Sequence, residues 1–346
     1  MRRFGATWSD EELLDKLHGA WLGRAAGCAL GKPVEAFMDA RQGLDSWQRQ
    51  KAYLTAIAPD EWPIRDYFPA QSPAQEKTGA LWCPLSTREQ IAFMESDDDI
   101  RYTVLGQKIL LEKGRDFTSW DVARAWIRHL PYAQVGTAET QTYRNLVWRY
   151  GFHLHGDEGE NVEWNWVATF QNPYREWIGA QIRVDSFGYA APGNPELAAE
   201  FAWRDARISH VKNGIYGAMF CAALIAASFA SNDVRQIIET ALAEIPATSR
   251  LTSELRQTIA ICEKYNRDFA HFEAVIAEIY ALLGHYSPVH TNNNAAICLA
   301  ALLLSGGDFH RGITLAVMGG FDTDCNGATV GSVVGAINGA QNVPAH

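Results

Sequence analysis

The sequence predicts an all-α protein. Apolar residues recur at helical spacing through most of the chain, capping residues stand at the head of the periodic segments, and no stretch alternates in the strand period between turn signals. The chain has 346 residues, 47% of them hydrophobic and 20% charged, the proportions of a globular protein with ample core. It carries 40 acidic and 30 basic residues, a formal net charge of −10. An acidic chain lacks the overall electrostatic footprint of a nucleic-acid binder, which leaves room only for a local basic patch.

The first helix begins at Ser9, which with Glu12 fits an S-x-x-E capping box. Leu13, Leu17, Ala20, Trp21, Ala25 and Cys28 follow at helical spacing, and Gly27, Gly31 and Pro33 should end the helix within 27–33. A second helix is expected from Ser96 to about Leu111, and a third from Ser119 with Val122, Trp126 and Leu130 on one face. The C-terminal half reads as helix after helix: 209–229, 233–244, 250–264, 269–283, 293–304, 308–318 and 326–339. Two stretches, about 40–95 and 150–205, lack sustained periodicity and read as long ordered excursions from one domain spanning 1–346. No repeat of fixed period and no linker divides the chain.

The most apolar stretch, Gly214–Ala230, falls just short of a comfortable membrane span and reads as a buried helix. The start, MRRFGATWSD, has a basic flank without an apolar segment, so no signal peptide is expected. Cys28, Cys83, Cys221, Cys262, Cys298 and Cys325 form no CxxC pair, the pattern of buried reduced thiols. The expectation is a cytoplasmic protein with no membrane segment.

Two glycine sets are spaced by four: Gly19, Gly23 and Gly27, then Gly327, Gly331, Gly335 and Gly339. Each glycine costs a helix interior about 1 kcal/mol relative to alanine. Close approach of helices along a glycine ridge accounts for such a series; a crossing beside a buried site is the sharper reading.

Two acidic clusters stand out. Ser96-Asp97-Asp98-Asp99 opens a predicted helix, and Asp322-Thr323-Asp324 lies between Gly319-Gly320 and the second glycine series. Read singly, the first is a capped helix start, with Ser96 and Asp99 as a capping box, and the second an Asx turn. Read together, they are a source of hard oxygen ligands for divalent cations such as Mg²⁺. His210 heads the most apolar predicted helix, as a capping or core residue or as a functional one. No HExxH, GxSxG, Walker A or GxGxxG pattern is present.

On these residues the sequence resembles the ADP-ribosylglycohydrolase superfamily. Gly19-Ala20-Trp21-Leu22-Gly23 through Gly27-Cys28-Ala29-Leu30-Gly31-Lys32-Pro33-Val34-Glu35 is similar to its G-x-x-x-G-x-x-x-GDAxGxPxE signature. Ser96-Asp97-Asp98-Asp99 resembles its Thr-Asp-Asp-Thr motif, and Gly319-Gly320-Phe321-Asp322-Thr323-Asp324-Cys325 its GG-x-D-x-D-[ST] motif. Ser209-His210 through Ala223 resembles its Ser-His helix.

The resemblance implies a compact orthogonal multi-helix bundle around a dimetal site holding Mg²⁺ or Mn²⁺, two ions in all. The implied ligands are Ser96, Asp97, Asp98, Asp322 and Asp324, with Cys325 at a position where the family has Thr or Ser. Glu35 would be the flexible-loop glutamate near the metals, and His210 would contact an ADP-ribose diphosphate or adjoining ribose. Glu35, Asp97, Asp98 and Asp324 are the implied catalytic acids, and Asp185 a further candidate at the substrate. Cys28 replaces an aspartate of the signature. Cys325 alters one metal's ligand set, because a neutral thiol is a poor ligand for Mg²⁺.

The family's Gly-rich diphosphate loop has no close copy here; the aromatic-rich 164–190 stands in its place. There, Arg175 and Arg183 read either as phosphate partners or as members of structural ion pairs. The implied activity is hydrolysis of the C1″ ribosyl bond of an ADP-ribosylated protein or a small riboside. A different glycoside is one alternative, and a non-catalytic ADP-ribose-binding or crystallin-like relative is another.

Overall fold

The computed structural model describes residues 7–151, 153–155 and 161–344. Helices account for the architecture, and the described residues contain no strand, only an isolated bridge between Arg41 and Leu44. The chain divides into two compact units. Among the described residues, one comprises those within 7–96, 231–238 and 253–344, and the other those within 97–230 and 239–252. No described helix is long and apolar enough to cross a membrane.

The first unit is organised by the two glycine helices, Asp10–Gly31 and Thr323–Asn338. The predicted capping box is present: Glu12 N donates to Ser9 Oγ at 3.2 Å and Ser9 N to Glu12 Oε2 at 2.8 Å. The helices run antiparallel, pairing Gly19 with Gly335, Gly23 with Gly331 and Gly27 with Gly327. At each pair a Cβ would collide with the partner's backbone carbonyl, so the two main chains approach as closely as hydrogens at Cα allow. Thr291–Ser305 is buried along its whole length.

The N-terminal helix does not simply stop at its proline. It ends at Gly31 and continues as a 3₁₀ turn, Lys32–Phe37. Pro33 is tolerated there because the first positions of a turn need no N–H donor.

Within 40–95 the sequence reading missed the helix Ser46–Thr55, capped by Asp45 with Gln48. Its buried face carries Arg49 and Gln50 beside Trp47, Tyr53 and Leu54, which hides the apolar period. Gln50 Nε2 donates to Val317 O at 2.9 Å, and Arg49 Nε to Thr78 O at 2.9 Å.

The second unit contains the acid-turn helix Asp98–Lys113, then Ser119–His129, Thr137–Tyr150, Pro195–Ala206 and the apolar helix Asn213–Ser228. Thr137–Tyr150 was missed for the same reason as Ser46–Thr55: Glu139, Thr142 and Asn145 occupy buried positions. Pro195–Ala206 lies inside the expected excursion; Asn194 caps it by accepting from Leu197 N at 3.4 Å, and Pro195 takes the first position. The apolar helix starts at Asn213 and not at 209, because Lys212 adopts a left-handed backbone with φ 48° and His210 N closes a turn on Ala206 O.

Candidate metal centre

The turn Gly319–Asp324 is held from three directions. Gly320 and Phe321 are both left-handed, φ 74° and 59°, and a bulky residue in that region is strained by about 1 kcal/mol or more. The Phe321 ring stacks on Tyr280 with centroids 4.2 Å apart and planes 7° apart. Asn294 Oδ1 accepts from Asp322 N at 3.1 Å and from Asn326 Nδ2 at 2.8 Å. Thr323 Oγ1 donates to Gly31 O at 2.8 Å, which ties the turn to the end of the N-terminal helix.

That last tie explains why Glu35 belongs here. Gly31 packs on the backbone of Thr323 and Asp324, and Glu35 follows one turn later on the 3₁₀ segment. Ligand oxygens of Glu35, Asp322 and Asp324 lie within 4.8 Å of one another. Asp322 Oδ1 is buried and has no hydrogen-bond partner among the described residues. Burial first, then the charges of Asp324 and Glu35, hold the Asp322 carboxyl well above the usual carboxylate range. Lys32, on the same turn, donates its Nζ to Glu95 O at 2.8 Å. Three crowded carboxylates, one with a bare buried oxygen, fit a hard divalent cation. Cys325 is the next residue and is buried.

A cavity of about 540 Å³ borders this turn in the same unit, with Phe321, Tyr280, Trp47 and Tyr286 among its walls and Asp45 at its edge. Its aromatic faces suit a planar ligand group.

In the other unit, the cap of the acid-turn helix is Asp97 and not Ser96: Asp97 Oδ1 accepts from Ile100 N at 3.0 Å. Ser96 is exposed, Asp97 and Asp98 are part-buried and Asp99 is buried. Asp185 begins a short helix and is fully buried.

His210 is also fully buried, with Nδ1 2.8 Å from Ser209 Oγ and 3.9 Å from Glu139 Oε1. Burial, then the Arg183 charge, hold its pKa well below the ordinary imidazole value, so the ring is neutral. Arg183 resolves to the ion-pair alternative. Its five N–H groups reach the Asp205 carboxylate, Glu139 Oε1 at 2.6 Å, Gly179 O at 2.8 Å, Ser209 Oγ at 2.8 Å and Asp205 O at 3.4 Å. No donor is left for a phosphate. Arg175 donates to Asn172 O at 2.8 Å.

The sequence reading missed Asn294, Tyr280 and Glu139. For Asn294 a signal was present: three consecutive asparagines, Asn292–Asn294, inside an apolar helix demand buried hydrogen-bond partners.

Residues 9–346 match the family model described as ADP-ribosylglycohydrolase, and the chain belongs to that family. The family is one of glycohydrolases, which makes the chain a hydrolase of that type at the coarse level. A solved structure described as an "ADP-ribosylglycohydrolase-related protein complex" is similar with a TM-score of 0.58 and 19% identity, covering 97% of this chain and 91% of that one. At that identity the likeness is one of fold. No curated protein matches the chain.

Proposed function

We propose that the protein is a metal-dependent glycohydrolase that cleaves the C1″ ribosyl bond of an ADP-ribosylated substrate or a related N-riboside. The observation that carries this reading is the triad of half-buried Glu35 with buried Asp322 and Asp324, and the bare Asp322 oxygen. We assign the cation-holding role to Asp322 and Asp324, and to Ser96, Asp97 and Asp98, the ligands that the family resemblance implies; Mg²⁺ or Mn²⁺ suits such oxygens. Bound divalent cations supply acidification of a water and polarisation of ribose hydroxyls. Asp322, held on a strained and stacked turn, keeps its oxygen fixed in space, so little reorganisation is needed at reaction. Glu35, half-buried beside both aspartates, is the carboxylate to accept the proton from the attacking water. The aromatic cavity beside Phe321 would take the planar part of the substrate.

His210 and Asp185 have no exposed surface. Their proposed role is therefore positioning, exerted through Ser209, Glu139 and the helices they brace.

The test is a substrate panel with and without chelator: ADP-ribosyl-arginine, ADP-ribosyl-serine and free N-ribosides. Release of ADP-ribose from one of the first two, abolished by chelator and by Asp324→Ala, supports the reading. Turnover of free ribosides alone redirects it to a different glycoside. No turnover of any, with no metal uptake, makes the chain a binding relative.

A further inference from the structure

We propose that a cleft in the unit of Asp97–Ala230 is a second ligand site, and that it binds a nucleoside phosphate. The cleft has a volume of about 660 Å³, within the range of about 300–1,000 Å³ typical of small-molecule pockets. It opens where the end of Asp98–Lys113, the start of Ser119–His129 and the end of Pro195–Ala206 meet. Lys113 and Asp98 stand at opposite ends of one 16-residue helix. At about 1.5 Å per residue that separates the cleft from the acid turn by roughly 22 Å, so it is not an extension of that turn.

Its charge runs against that of the chain. Lys113, Arg124, Arg204 and Arg207 line it, against Asp116 and Asp121, in a protein of net charge −10. Lys113 and Arg204 are held by neighbouring groups. Lys113 Nζ lies 3.2 Å from Asp121, and Arg204 pairs with Glu200 while donating to Arg115 O at 2.8 Å and Phe117 O at 3.0 Å.

Arg207 is different. Its guanidinium lies over the Trp203 ring, 4.3 Å from the centroid, and makes no hydrogen bond or ion pair among the described residues. Burial pulls its pKa down. A phosphate would give this part-buried guanidinium the bidentate partner it lacks among the described residues.

The aromatic walls define the rest of the ligand. Trp203 is 39% exposed, and Trp164 also lines the cleft. Bases stack favourably on an indole, and guanidinium groups bind phosphate oxygens in bidentate fashion. A simple anion leaves the exposed part of Trp203 uncovered. A neutral ring leaves Arg207 uncompensated. A base carrying phosphate satisfies both.

The experiment is titration of the full-length chain with ADP in EDTA, followed by tryptophan fluorescence and calorimetry, with adenosine and inorganic phosphate as separate probes. The expected result is one saturable ADP site, with adenosine and phosphate each at least tenfold weaker. Arg207→Ala should weaken ADP at least tenfold, Arg207→Lys less, and Asp322→Asn not at all. Trp203→Leu, on the surface, should weaken ADP and diminish the fluorescence response, and it serves if Arg207→Ala loses its helical circular dichroism. The proposal is overturned by any of three outcomes: no saturable ADP binding in EDTA; phosphate as tight as ADP; or binding that survives both cleft variants and is lost in Asp322→Asn, which would place ADP at the metal turn.

Discussion

On the proposed function, the Asp322 carboxyl would set the fold and the chemistry in opposition. Its pKa is raised in the folded state by burial and by Asp324 and Glu35. Such a group contributes stability below its unfolded pKa, and that contribution is lost as pH rises through the folded value. Without metal, the crowding of Asp324 and Glu35 around the buried Asp322 carboxyl therefore works increasingly against the fold as pH rises. Asp322→Asn should leave the chelated protein at least as stable as wild type in urea, while Mg²⁺ affinity falls at least tenfold. A chelated variant less stable by more than about 1 kcal/mol would assign the carboxylate a structural role.

Glu139 offers a second residue-scale test. Burial, opposed by Arg183, pushes its pKa up to about 7. The sign is the same: its contribution is present below about pH 4.5 and lost on the way to about 7, with a size of roughly 3 kcal/mol. Urea denaturation at pH 5 and pH 8 should show that loss in wild type and not in Glu139→Gln. Equal losses in both proteins would locate the titration elsewhere.

At the scale of elements, the glycine helices settle what the spacing left open. Alanine at position 27 would gain about 1 kcal/mol of helix propensity. Its Cβ would meet the Gly327 carbonyl, which is backbone and cannot swing aside, and overpacking of that kind costs about 1–3 kcal/mol or more. Gly27→Ala should therefore lower stability by about 1–2 kcal/mol; a gain near 1 kcal/mol would mean that the helices do not touch there. The ridge also has a functional consequence. It brings the end of one helix, Gly31, against the start of the other, Thr323, and so sets Glu35 beside Asp322 and Asp324. Helices that the sequence concealed, Ser46–Thr55 and Thr137–Tyr150, bury Arg49, Gln50, Glu139 and Asn145. Periodicity registers apolar residues, and these positions are filled by polar ones with partners distant in sequence.

For the whole molecule, the proposed metal would act as a ligand of the folded state. At a hundredfold excess over its dissociation constant it adds about 2.7 kcal/mol per site. The thermal midpoint should rise on adding Mg²⁺ or Mn²⁺ to the stripped protein and fall back with EDTA. Asp324→Ala should remove the response while keeping far-UV circular dichroism near wild type. A response unchanged in that variant would move the metal away from the Asp322 turn. Cys325→Thr, which restores a hydroxyl, should bind Mg²⁺ equally or more tightly; weaker binding would show the thiol to be an adapted ligand.

The residues alone determined the all-α class, the capped first helix, both glycine series, the two acidic turns and the family to which they belong. These are local properties, written in periods of about 3.6 residues and in short motifs. Tertiary structure alone decided which partners the buried polar groups find. Asn294 reaches the backbone of Asp322, Arg183 is closed by Glu139 and Asp205, and His210 has no open face. A hydrogen bond between residues tens of positions apart leaves no spacing to read, yet in a buried site every donor must find such a partner.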